Sequence, residues 1–273
     1  MADEGTPRHP SDGGGRAWLD VAASTPQPIR AGQSATLVVH YEAGPLGVEE
    51  NGIVFLQASS FWGWSPPHDL DPGTAGYTEA TTSAAGVELE TETLGANLLA
   101  ARITGRGLTA GERIRFTYGA GPAGARVDRY AERESRIWVA VDGDGDGVRA
   151  LVSEPPVVDI AAAPAHGLVV TAPSVARPGE RVRLSVAAVD LLGNAGAPFD
   201  GELLLSSSPE GLELPASVRP RPGAPGHTEL LVGAPQTGIY RVVARTAGGL
   251  TGQSNPIFVT PKLPKLLWAD PHG

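Results

Sequence analysis

From Ala17 onward the chain repeats one pattern: apolar residues return at every second position through short runs, and glycine, proline or an Asn-Gly pair separates the runs. Successive side chains of an extended strand point to opposite faces, so this period describes strands with one buried face. Ser34 to Tyr41 is rich in β-branched residues, Asn51-Gly52 makes a turn signal before Ile53 to Gln57, and Val87 to Thr93 alternates carboxylates with apolar or small residues. Leu98 to Thr104, Arg113 to Tyr118, Ile137 to Asp142 and Val148 to Val152 continue the series. No window carries a helical stripe, although Arg126 to Glu134 has room for a short helix. The 36 glycines and 25 prolines supply the turns that so many strands need.

The expected fold is therefore all-β, with two tandem β-sandwich domains. Residues 1–16 are polar and read as a flexible, disordered tail. Residues 17–162 make a first sandwich. The small residues and proline at Ala161-Ala162-Ala163-Pro164 read as a linker. Residues 163–260 carry six or seven short strand runs, about the size of an immunoglobulin-like sandwich. Thr237-Gly238-Ile239-Tyr240 suggests a tyrosine corner, with the Tyr240 hydroxyl bonded to nearby backbone. Residues 261–273 leave the second sandwich.

Composition limits the partners. A net charge of −9 with no basic stripe argues against nucleic acid. The absence of cysteine excludes disulfides and thiolate chemistry. No apolar stretch of about 18 residues is present to span a membrane. The N-terminus lacks an apolar signal core, which favours the cytoplasm by default.

Few motifs could carry chemistry. Asp142-Gly143-Asp144-Gly145-Asp146-Gly147 places Asp142, Asp144 and Asp146 on one side of a tight loop, as a calcium site requires. The twelfth position, where a calcium loop is closed by glutamate, is Ser153, with Glu154 one place late. The other reading is a solvated acidic hairpin tip. Gly119 to Gly124 matches GxGxxG by letter but lacks the βαβ setting of a dinucleotide site. Trp62 and Trp64 sit on a Gly/Pro loop, where they could stack on a sugar, plug the gap between the two domains or cover a sandwich edge; burial is the better reading in a chain with 5% aromatics. The six histidines show no metal-ligand spacing, and GxSxG is absent.

Several stretches, in order, resemble one family. These are Gly76-Tyr77-Thr78, Gly111-Glu112-Arg113-Ile114, Tyr130-Ala131-Glu132 and Val141-Asp142-Gly143-Asp144-Gly145. Pro173-Ser174, Pro178-Gly179-Glu180, Asp190-Leu191-Leu192-Gly193-Asn194, Ser254-Asn255-Pro256-Ile257 and Leu267-Trp268-Ala269-Asp270-Pro271-His272-Gly273 follow. Together they resemble the N-terminal part of domain-of-unknown-function family 3604, bacterial proteins in which β-sandwich regions precede a metal-dependent hydrolase domain of the PHP (polymerase and histidinol phosphatase) type. The resemblance implies that Asp270 and His272 are the remnant of the first PHP metal motif, Trp-Gly-Asp-Leu-His-Gly-His-Ser, with Pro271 in place of leucine. It also implies a divalent metal in the parent family and a PHP-like catalytic domain as the natural partner.

One imidazole cannot hold a catalytic ion, and a β/α barrel needs roughly 200 residues more. The expectation is a non-catalytic accessory module without cofactor, a fragment cut at the start of the PHP domain. The alternatives are a glycan- or surface-binding module using Trp62 and Trp64, or half of a split hydrolase that docks through Leu263, Leu266, Leu267 and Trp268.

Overall fold

The computed structural model describes residues 8–59, 61, 63–95, 97–197, 199, 201–220 and 226–262. Among them every regular element is a β-strand. No helix there is long and apolar enough to cross a membrane. The chain divides into two compact units, 1–161 and 162–273.

The first unit is built on two antiparallel sheets. One has the order Arg16–Leu19, Leu37–Glu42, Arg113–Tyr118, Thr78–Thr82. The other has the order Ala150–Leu151, Trp138–Asp142, Ile53–Gln57, Leu98–Thr104, Glu88–Leu94. Alternate residues of both enter one core: Val39, Tyr41, Ile114, Phe116 and Tyr118 from the first, and Val54, Leu56, Leu99, Ile103, Val139 and Val141 from the second. Each such side chain contributes about 1.5–3 kcal/mol on burial. Val157–Ala161 pairs in parallel with Ile29–Arg30, joining the two ends of the unit.

The second unit is also a two-sheet sandwich. Gly167–Thr171, Glu180–Val189 and His227–Ala234 form one sheet. Val175–Ala176, Ile257–Val259, Gly238–Thr246, Leu203–Ser208 and Ser217–Val218 form the other, with Thr251–Gln253 alongside Gly238–Thr246. The pattern on Glu180–Val189 shows the physics: Val182, Leu184, Val186 and Ala188 are buried, and the residues between them are not. The all-β architecture of two tandem sandwiches, the second immunoglobulin-like, matches the sequence pattern.

Three local expectations need correction. The stretch Arg126 to Glu134 holds no helix: Arg126 ends the strand Ala125–Arg126, and Glu132 opens Glu132–Arg136, which bulges against Val157–Ala161. Glu134 sits at a φ of 55°, and its N–H donates to Asp159 Oδ1 at 3.0 Å. The polar start is not all tail either. Ser11 and Asp12 are buried, and the first strand begins at Arg16. Polarity misleads there because these groups bond to backbone inside the fold. Tyr240 is buried, close to Gly211 and Gly238, but its hydroxyl makes no hydrogen bond to a described residue, so the bond of a tyrosine corner is missing.

Candidate functional site

The strand Trp138–Asp142 delivers Asp142 to the sheet edge opposite Ile53, and the chain then turns through three Asp-Gly pairs. Gly145 and Gly147 adopt φ values of 78° and 93°, which glycine tolerates without strain. Asp142 is 1% exposed. Its Oδ1 accepts the Gly145 N–H at 2.7 Å, and its Oδ2 accepts the Gly147 N–H at 2.9 Å. Asp144 Oδ1 accepts from Asp146 N–H at 3.3 Å, and Asp146 Oδ1 from Val148 N–H at 2.7 Å. One oxygen from each of the three aspartates lies within 4.8 Å of the others.

The N-terminal segment clasps this loop. Asp12 Oδ1 accepts the Gly143 N–H at 2.8 Å, and Gly13 N–H donates to the Val141 carbonyl at 3.1 Å. Asp12 Oδ2 accepts the His9 N–H at 2.8 Å, and His9 Nδ1 lies 2.6 Å from Ser11 Oγ. His9, Asp12 and Asp144 consequently form a second group of potential ligands. The sequence reading missed His9 and Asp12. The only local signal was Ser11-Asp12-Gly13-Gly14, a run of turn formers in a polar stretch. It also found no site where an imidazole and carboxylates meet, and this one is assembled by a contact 131 positions apart.

Burial drives the Asp142 carboxyl above the usual aspartate range. The Gly147 and Gly145 N–H groups oppose that rise, and the charges of Asp146 and Asp12 add to it. Oxygen ligands of this kind suit a hard cation such as Ca²⁺. Both oxygens of Asp142 and of Asp12 already accept backbone N–H bonds, so these carboxylates also hold the loop without any ion. Ser153 and Glu154 are exposed beyond the loop.

Beside Asp142 the outer face of the five-stranded sheet forms a groove of about 510 Å³. Ile53, Phe55, Leu94 and Ala100 make its floor, with Glu90 and Glu92 facing Arg102 and Arg149 across it. The Arg149 guanidinium carbon lies 4.8 Å from the centre of the Phe55 ring.

Trp64 does not present its face to solvent. It is 4% exposed, with its ring centre 6.2 Å from that of Tyr118 inside the core, so it cannot stack on a sugar. Trp62 lies outside the described residues, as do Asp270, His272, Leu263, Leu266, Leu267 and Trp268. Gly119 to Gly124 forms the loop between Arg113–Tyr118 and Ala125–Arg126, with no helix to receive a phosphate.

No protein-family model matches the sequence, and no curated protein matches it. Solved structures similar to the chain include a Corynebacterium diphtheriae protein described as membrane anchored (14% identity, TM-score 0.28, covering 94% of this chain and 55% of that one). Another is the C-terminal 282-residue fragment of intimin, solved in complex with the intimin-binding domain of its translocated receptor (10% identity, TM-score 0.23, covering 88% and 64%). A third is BcpA, the major pilin subunit of Bacillus cereus (10% identity, TM-score 0.26, covering 82% and 58%). The chain thus spans less than two thirds of the length of each of these three.

Proposed function

We propose that this chain is a non-catalytic β-sandwich module, the accessory region that precedes a PHP-like metal-dependent hydrolase domain in a longer protein. One observation carries the non-catalytic part. At the cluster richest in ligating groups, both oxygens of Asp142 and of Asp12 are engaged by backbone N–H groups, as structural carboxylates are. The PHP-like partner rests on the sequence resemblance alone. The purified chain is expected to show no phosphoesterase turnover with Mn²⁺ or Zn²⁺. Turnover that follows added metal and disappears in His9→Ala or His272→Ala overturns the reading.

A second reading concerns the same loop. Three carboxylates converge within 4.8 Å, and the desolvated Asp142 is destabilised by its charged neighbours. A Ca²⁺ ion would offset that repulsion and stiffen the loop. Calcium titration followed by calorimetry should then raise the melting temperature of the wild type but not of Asp144→Asn/Asp146→Asn. Equal melting with Ca²⁺ and with chelator rejects it.

A further inference from the structure

The outer face of the four-stranded sheet carries a different kind of site. Register places Trp18, His40, Arg115 and Thr81 in one row across the four strands. Arg16, Glu42 and Arg113 form the next row. The residues between these positions on the same strands, Ala17, Tyr41 and Ile114, turn into the core, as does Phe116 next to Arg115, so both rows face outward. Between Arg113–Tyr118 and the end of Thr78–Thr82 lies a hollow of about 330 Å³, lined by His40, Thr81, Thr82, Ser83, Arg113 and Arg115. That is the lower end of the size range of small-molecule sites, about 300–1,000 Å³.

Most charges in this face are paired. Glu42 binds two guanidiniums, Arg16 at 2.8 Å and Arg113 at 2.7 Å. His40 Nε2 is held 3.3 Å from Asp20 Oδ2. Arg115 is exposed and has no carboxylate partner among the described residues. Glu79 is two positions along its strand from Thr81 and does not line the hollow. Arg115 therefore stands outside these ion pairs, among the hydroxyls of Thr81, Thr82 and Ser83 that line the hollow with it. The same face carries Trp18, with the Arg16 and Arg113 guanidinium carbons each 5.2 Å from its ring centre and His40 stacked at 5.3 Å. These contacts hold Arg113 and His40 in place as walls of the hollow.

We propose that this hollow binds a carboxylate-bearing polysaccharide, one uronate unit at a time. Arg115 takes the carboxylate through its planar fork of N–H donors, and the Thr81 and Ser83 hydroxyls bond the ring hydroxyls. Spaced carboxylates fit better than a nucleic acid, whose dense phosphates would meet the repulsion of the whole acidic chain. The lining has no apolar wall for a lipid tail.

The experiment is calorimetric titration of the full chain with oligogalacturonate at low salt, with an uncharged polysaccharide and duplex DNA in parallel. The expected result is binding to oligogalacturonate alone. Arg115→Ala should weaken it at least tenfold, with an unchanged urea midpoint because Arg115 is exposed. Arg126→Ala, which removes an exposed arginine elsewhere on the same unit, should leave it unchanged. No heat with oligogalacturonate, equal binding by wild type and Arg115→Ala, equal loss in Arg126→Ala, or tighter binding of DNA or of the uncharged polysaccharide would each overturn the proposal.

Discussion

Glu112 shows how a single side chain ties stability to pH. Its two carboxylate oxygens each accept one Arg106 N–H bond at 2.7 Å, and Oε2 also accepts the Thr109 N–H at 2.8 Å. The Arg106 fork, then the Thr109 bond, lowers its pKa to about 2 from an ordinary value of 4.5. The folded pKa lies below the unfolded one, so the contribution is whole above about pH 4.5 and fades as pH falls toward about 2. Solvent screening keeps it modest, because both partners are part-exposed. Asp128 and Asp142 run the other way: burial raises both, so each favours the fold less as pH rises through its folded pKa. Comparing urea midpoints of wild type and Glu112→Gln from pH 2 to pH 7 isolates the first effect. The gap should be widest at neutral pH and close below pH 4.5; a gap independent of pH contradicts it. The Arg106 to Glu112 pairing was not read from the sequence, since six positions through a turn carry no fixed geometry there.

The strand Glu88–Leu94 and the Asp-Gly loop show what an element owes to its own residues. Glu88, Glu90 and Glu92 point outward from an edge strand, and charge on an edge discourages pairing with another chain. Their alternation was legible because a strand has a fixed period of two. The loop after Asp142 was legible as a tight acidic turn, since glycine and aspartate favour such turns locally. Its clasp was not, because a β-carbon on Gly143 would collide with the side chain of Ser11, a residue from the far end of the unit. Gly143→Ala should therefore detach residues 8–14 while the sheets persist. Limited proteolysis should cut the variant before Arg16 faster than wild type, with a loss of about 1–3 kcal/mol in the unfolding free energy read from urea titration. Unchanged cleavage would show that the clasp does not depend on this contact.

Each unit is held by pairings between strands distant in sequence, as between Ile29–Arg30 and Val157–Ala161. Such topologies close their loops late and fold slowly. Stability sits in the closed core and very little in exposed apolar residues. Phe116 is fully buried between the sheets, whereas Val21 is largely exposed. Phe116→Ala should cost about 3–5 kcal/mol, and Val21→Ala no more than about 0.5 kcal/mol, both read by urea unfolding. Similar costs for the two would mean that the first unit is not the closed sandwich described. At this scale the all-β class was legible from alternation and turns, but the partner of each strand was not.

The sequence alone determined that the chain is extended and alternating, rich in turns and acidic overall, because the first two properties depend on near neighbours along the chain and the last on composition alone. Tertiary structure decided that Trp64 is buried against Tyr118 in the first core, that His9 and Asp12 join the aspartate loop, and that Arg115 stands unpaired beside Thr81. The reason is physical: register and sheet order place side chains from distant strands side by side, and the local period of a strand carries no information about which strand becomes its neighbour.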